Sequence, residues 1–307
     1  MPLEEGRAIN FLDSATVALL PFIPKPIVRK FSARYIAGPS LEDAIREIRA
    51  LNEKGIMATV DILGEGVTQI AQAEKAARDY VDVLESIRVN GLDSNVSVKL
   101  TMLGLAIDEE FCYQRMRELV AEAEKRKNFI RIDIEDSPFT DATFQIYRRL
   151  REEFPNVGTA LQAYMRRTQG DVTEFIKVGA NLRVCKGIYV EPRKIAWKGH
   201  RTINDNFTWA VRRLLERGCY VGIATHDEHV VWEAEKIIHE LGLDTSRYEF
   251  QMLLGVDEEL RDIIVGNGHR LRVYVPFGPQ WYQYSIRRLR ENPRIAGYAA
   301  KATLGLK

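Results

Sequence analysis

The chain reads as an α/β protein, a (β/α)8 TIM-like barrel with an N-terminal helical extension. Two observations support this. Eight short runs rich in β-branched residues alternate with longer amphipathic stretches, and no linker or low-complexity segment divides them. The turn after the first run, LGEGVTQ, lacks the third glycine of the fingerprint that an open doubly wound sheet usually shows there. A length of 307 residues with 46% hydrophobic content could mean two domains, but one large barrel also fits.

In chain order, residues 1–55 form the extension, including the helix-like LEDAIREIRALNEKG, and residues 56–307 form the barrel. The strand runs are MATVDIL (57–63), VSVKL (96–100), FIRIDIE (129–135), TALQAY (159–164), LRVCKG (182–187), VGIATH (221–226), YEFQML (248–253) and LRVYVPF (271–277). Amphipathic stretches between them include Thr68–Val89, Asp108–Arg126, Pro138–Phe154, Asp205–Arg217 and Glu228–Leu241. The opening segment lacks a basic leader region and a clear cleavage site, so no secretory signal is expected. Its apolar run is broken by Pro21, Pro24 and Pro26 and is too short to span a bilayer. It either lies on a membrane or covers the bottom of the core, and core packing is favoured.

Charge narrows the partners. Lys plus Arg number 44 and Asp plus Glu 43, a net +1, which gives no support for nucleic acid. Cys112, Cys185 and Cys219 have no CxxC spacing, which suits a reducing, cytoplasmic compartment. His226 and His229 are the only histidine pair at ligand spacing, and without a nearby third ligand no metal is expected.

Nearly every strand carries a polar group in or just after its apolar run: Asp61 and Glu65, Lys99, Asp133 with Glu135 and Asp136, Gln162, Arg183 with Lys186 and Tyr189, Thr225 with His226 and Asp227, Gln251, and Tyr274. An unpaired buried polar group costs roughly 1–3 kcal/mol, so stability alone does not explain the set. Some members are expected to pair, Lys99 with Asp133 on adjacent strands being a natural ion pair. As a whole they describe a ligand cradle at the carboxyl end of a barrel. Beyond the eighth strand, Tyr284, Arg287, Arg288 and Glu291 fall on one face of a helix that begins near Trp281. Two guanidinium forks suit a carboxylate and a nearby glutamate suits an ammonium, so an amino-acid zwitterion is the expected ligand.

The motifs VDILGE (60–65), VKLTMLGL (98–105), RIDIEDS (131–137), LQAYMRRT (161–168), NLRVCKGIYVEP (181–192), IATHDE (223–228), YEFQMLLG (248–255) and WYQYSIRRLREN (281–292), in this order, resemble the proline dehydrogenase family, and its stand-alone bacterial enzymes in particular. The resemblance implies noncovalent FAD over the strand ends. It implies oxidation of L-proline to Δ1-pyrroline-5-carboxylate by hydride transfer from ring C5 to flavin N5, with electrons passed to quinone. It implies a cytoplasmic protein with a peripheral contact on the inner face of the membrane. On matching positions, Arg287 and Arg288 look like the carboxylate clamp, Tyr284 packs on the substrate ring, and Glu291 and Tyr274 belong to the closing network. Lys99 and Asp133 match the strand pair beneath flavin and substrate. Gln162 matches a ring contact and Arg183 the residue near N5 and the phosphates. Lys186, Gly187 and Tyr189 line the next stretch of cofactor, Ala224, Thr225 and His226 its phosphate and adenosine side, and Gln251 is a further contact.

Two positions depart from the family pattern. Ile188 stands where a small alanine is usual beside the substrate ring, and Leu254 where many relatives carry tyrosine. Added bulk in a tight pocket costs about 1–3 kcal/mol, which opens the identity of the cyclic amino acid but not the reaction type. Two rival readings remain at this level: an aldolase-type barrel with Lys99 or Lys186 as Schiff-base nucleophile, and a non-catalytic amino-acid-binding barrel.

Overall fold

The computed structural model describes residue 28 and residues 34–64, 67–282 and 284–285. Eight parallel strands close into a barrel in chain order: β1 (Met57–Ile62), β2 (Ser94–Val98), β3 (Ile130–Ile132), β4 (Val157–Gln162), β5 (Asn181–Cys185), β6 (Tyr220–Ala224), β7 (Tyr248–Leu253) and β8 (Leu271–Phe277). The helices are α1 (Leu41–Asn52), α2 (Ile70–Val89), α3 (Glu109–Lys125), α4 (Ser137–Glu153), α5 (Thr168–Lys177), α6 (His200–Glu216), α7 (Glu228–Glu240) and α8 (Glu258–Gly266). β7 and β8 run as the sequence pattern indicates. β3 is shorter, because the chain leaves the ladder after Asp133 N–H donates to Val98 O at 2.9 Å. α5 and α8 were not among the amphipathic stretches singled out above, and α6 begins five residues before the expected Asp205.

Local chemistry sets the helix starts. Ser40 and Asp43 form a reciprocal capping box on α1. Asp108, Asp227 and Asp257 each accept from a backbone N–H three residues on, at the starts of α3, α7 and α8. Asp227 therefore ties the carboxyl end of β6 to the helix that follows.

α1 buries Ala44, Ile48 and Leu51 and packs on β8 and β1. It covers the outer seam where the barrel closes. Tyr284, beyond β8, is buried against Ile36 and Leu63.

The strands alternate. Val60, Val96, Ile130, Val184, Ile223, Phe250 and Val273 belong to the apolar layer beneath the helices. The interior is polar, and buried ion pairs line it: Arg272 to Glu249 at 2.8 Å and Lys99 to Asp61 at 2.7 Å between neighbouring strands, and Arg183 to Asp133 at 2.6 Å between β5 and the end of β3. Small residues make room for these long side chains. A Cβ on Gly158 would come within 3.0 Å of Arg131 Nη1, Asn181 O and the Phe129 ring. Burial alone would raise the Glu249 carboxyl, but Arg272 and the Tyr220 hydroxyl outweigh it and hold the group at about 2.

Gly158→Ala is expected to destabilise the barrel by about 1–3 kcal/mol. Gly170→Ala, in α5 with open space around it, should stabilise it by about 0.5–1 kcal/mol; thermal denaturation of both variants reads the opposite signs. Because Glu249 has its carboxyl below the ordinary 4.5, its stabilisation is complete above that pH and fades as pH falls toward 2. Urea unfolding measured from pH 6 to pH 3 should show this fall, and Glu249→Gln, though less stable throughout, should show a shallower one.

Candidate active site

A cavity of about 550 Å³ opens at the carboxyl ends of the strands. The barrel order brings residues far apart in sequence onto its wall. Lys99 and Asp133 come from the ends of β2 and β3, Gln162 from β4, Arg183 from β5, Ala224, Thr225 and His226 from β6, Gln251 from β7 and Tyr274 from β8. Lys186, Gly187, Ile188 and Tyr189 line it from the loop after β5, and Tyr284 from beyond β8. Arg287, Arg288 and Glu291 lie outside the described residues, as does Glu65.

The centre of the wall is one connected network. Lys99 Nζ donates to both oxygens of Asp61, at 2.7 and 2.8 Å, and lies 3.7 Å from Asp133. Asp61 is thus the nearest partner of the lysine, and the ion pair expected with Asp133 is present at the longer distance. The physical reason is competition. Asp133 already accepts from Arg183 at 2.6 Å and from the Tyr274 hydroxyl at 2.8 Å. Arg183 reaches across from β5 and also donates to Gln251 Oε1 at 2.5 Å and Ser97 Oγ at 3.1 Å.

Electrostatics follow from this wiring. Burial works against the Lys99 ammonium, but Asp61, Tyr274 and Asp133 outweigh it and hold its pKa well above the ordinary value. Burial would also raise Asp133, yet the Arg183 and Lys99 cations keep its carboxyl below the usual range. Burial and the neighbouring Asp133 push the Tyr274 hydroxyl far up, so it stays a donor. A permanently protonated Lys99 is a poor amine nucleophile, which removes the premise of a Schiff base at that position.

On the opposite wall, Lys186 pairs with Asp227 at 2.5 Å, and Asp227 also accepts from Asn204 at 3.0 Å. Burial would raise Asp227, but these partners hold it at about 2. His226 Nε2 accepts from Leu253 N–H at 2.8 Å, so that nitrogen carries no proton. Gly187 has φ +109, and a Cβ there would run into the Tyr164 ring, so this bend of the wall requires glycine. Gln162 donates to Glu135 O at 2.8 Å, while its buried Oε1 has no partner. Ile188 sits on the wall with 47% of its surface exposed.

The sequence marks Asp61 and Asp227 as members of the strand-end cradle without assigning either a partner, and it does not mark Ser97, Cys185 or His200. Both carboxylates stand in polar strand-end clusters, a signal that marks them but cannot say which cation each takes. His200 enters the cavity wall from the first turn of α6, and nothing in its sequence neighbourhood marks it. Among the described residues, no group of three or more His, Cys, Asp or Glu is placed to hold a metal ion, and no helix is long and apolar enough to cross a membrane.

Comparison with known proteins gives the site its context. The sequence model described as proline dehydrogenase matches residues 44–300. Proline dehydrogenase 1 of Bacillus subtilis (strain 168) is 33% identical over 97% of this chain and 99% of its own. Proline dehydrogenase of Deinococcus radiodurans is 34% identical over 88% of this chain and 89% of its own. Among solved structures, proline utilization A from Bdellovibrio bacteriovorus, inactivated by N-propargylglycine, superposes with a TM-score of 0.81 at 22% identity. The match covers 89% of this chain but only 34% of that longer one, and at this identity it speaks to the fold. Matched across most of its length by the family model, and a third identical nearly end to end to stand-alone relatives, the chain belongs to the proline dehydrogenase family of oxidoreductases.

Proposed function

We propose that the chain binds FAD noncovalently in the strand-end cavity and oxidises L-proline to Δ1-pyrroline-5-carboxylate. The observation that carries the reading is the cavity wall itself, with Lys99, Asp133, Arg183, Gln251 and Tyr274 locked into one network beside a partnerless Gln162 Oε1. A volume near 550 Å³ is in the range of cofactor sites. The Gln162 acceptor suits a ring N–H of a flavin, and the bend at Gly187 lets a flat ligand approach the backbone. Lys186, Thr225 and His226 lie together on one wall, where a pyrophosphate and its adenosine would sit. Bound there, flavin supplies the hydride acceptor.

The protein's own contribution is positioning and water exclusion. In this reading Arg287 and Arg288 grip the substrate carboxylate, Glu291 faces the nitrogen and Tyr284 packs on the ring. Tyr284 lines the cavity, and on a helix the residues three and four positions later share its face. Lys99 and Asp133, held as ions by their partners, set the field beneath the site. Electrons then leave to a quinone. The apolar segment before residue 28, outside the described residues, is the part we assign to peripheral membrane contact of a cytoplasmic protein.

A second reading, oxidation of another cyclic amino acid, is favoured by Ile188, whose half-exposed position on the wall narrows the site without sealing it. The aldolase alternative is disfavoured, since Lys99 is held protonated and Lys186 is bound to Asp227.

Purified protein should be yellow, and anaerobic L-proline should bleach its flavin band. A colourless protein that FAD cannot reconstitute would refute the assignment. Arg287→Met and Arg288→Met should each raise the KM for proline roughly tenfold to hundredfold, the loss of one charge-assisted pair. Flavin content should not change, and an unaltered KM would remove the clamp.

A further inference from the structure

A second cavity, of about 380 Å³, lies at the opposite end of the barrel, where the strands begin. Its wall holds four cationic side chains, Lys127, Arg131, Arg270 and Arg272, against two carboxylates, Asp93 and Glu249. Among the described residues only Arg272 of the four has a carboxylate partner, Glu249, and that carboxylate also accepts from Tyr220 and Gln251.

Arg131 is the more telling group. It is 1% exposed, yet every described acceptor it has is neutral: Thr159 O at 2.9 Å, Asn181 O at 2.8 Å and Asn181 Oδ1 at 2.6 Å. Its buried Nε has no hydrogen-bond partner among the described residues. Burial, and then the positive charge of Arg183, pull its pKa down to about 10. A buried cation normally meets an anion, because leaving it uncompensated is costly. Arg270 is similar, with only Thr245 O and Met57 Sδ as described acceptors.

Charge inside a barrel wall can serve stability alone, and this end of such barrels seldom carries chemistry. That account explains the Arg272–Glu249 pair. It does not explain why three further cations, none ion-paired among the described residues, line the same open cavity, with only the exposed Asp93 and the Arg272-bound Glu249 to offset them.

We propose that the amino-terminal end of the barrel is a second binding site, for a small phosphate-class oxyanion. Forked guanidinium donors match tetrahedral oxyanions, and the space exceeds that of a bare ion, so a small phosphate ester fits the same chemistry. The site is separate from the strand-end cavity and does not depend on flavin being the cofactor there.

Isothermal titration of the full-length chain with inorganic phosphate, at ionic strength held constant with sodium chloride, tests it. Saturable binding is expected that weakens at least about tenfold in the Lys127→Gln/Arg270→Gln double variant. Lys127→Gln alone, at an exposed position, should weaken binding in the same direction if the double variant does not melt cooperatively. Lys75→Gln, exposed on α2 and on neither cavity wall, should leave it unchanged. Absence of saturable heat, an equal response to sodium chloride, or a loss that follows Lys75→Gln and spares the Lys127 and Arg270 variants would each overturn the proposal.

Discussion

A barrel whose axis is lined with charge can close only if those charges meet opposites, and this constraint organises the molecule. From the strand-end cavity downward, Tyr274 donates to Asp133, Asp133 accepts from Arg183, Arg183 donates to Gln251, Gln251 to Glu249, and Glu249 accepts from Arg272. The chain of bonds joins residues of four strands, β3, β5, β7 and β8. Removing one partner from such a buried pair commonly costs 3–5 kcal/mol, because the other charge is left behind. The same bonds that make the interior tolerable therefore fix the side chains that line the cavity.

Rigidity of this kind is what an oxidoreductase of small amino acids requires. The wall groups are held in one ionisation state and one orientation before any ligand arrives, so little reorganisation is left for the reacting moment. Lys99 and Asp133 are the clearest case: besides each other, each has a closer partner, Asp61 for the lysine and Arg183 for the aspartate. Asp227 plays a comparable double part, capping α7 while holding Lys186.

The outer layer obeys a simpler rule. Apolar faces of strands need cover, and α1 supplies it at the seam between β8 and β1. Tyr284, beyond β8, is buried near the cavity with Ile36 and Leu63.

Much of this was readable before any coordinates. Period-two runs broken by polar residues at their ends announced eight strands and one functional rim, because side chains alternate along a strand whatever surrounds it. The capping aspartates and the motif series were equally local. What sequence could not assign was pairing. Lys99 sits two residues past a strand partner of Asp61 and also near Asp133, and only closure of the barrel, which brings Arg183 from β5 onto Asp133, leaves Asp61 for the lysine. The cation-rich lower cavity was invisible for the same reason: Lys127, Arg131, Arg270 and Arg272 are ordinary charges along the chain, and their convergence exists only where β3 and β8 face each other across the axis. Period and capping are properties of neighbours in sequence, whereas which charges meet is a property of strands brought together by folding.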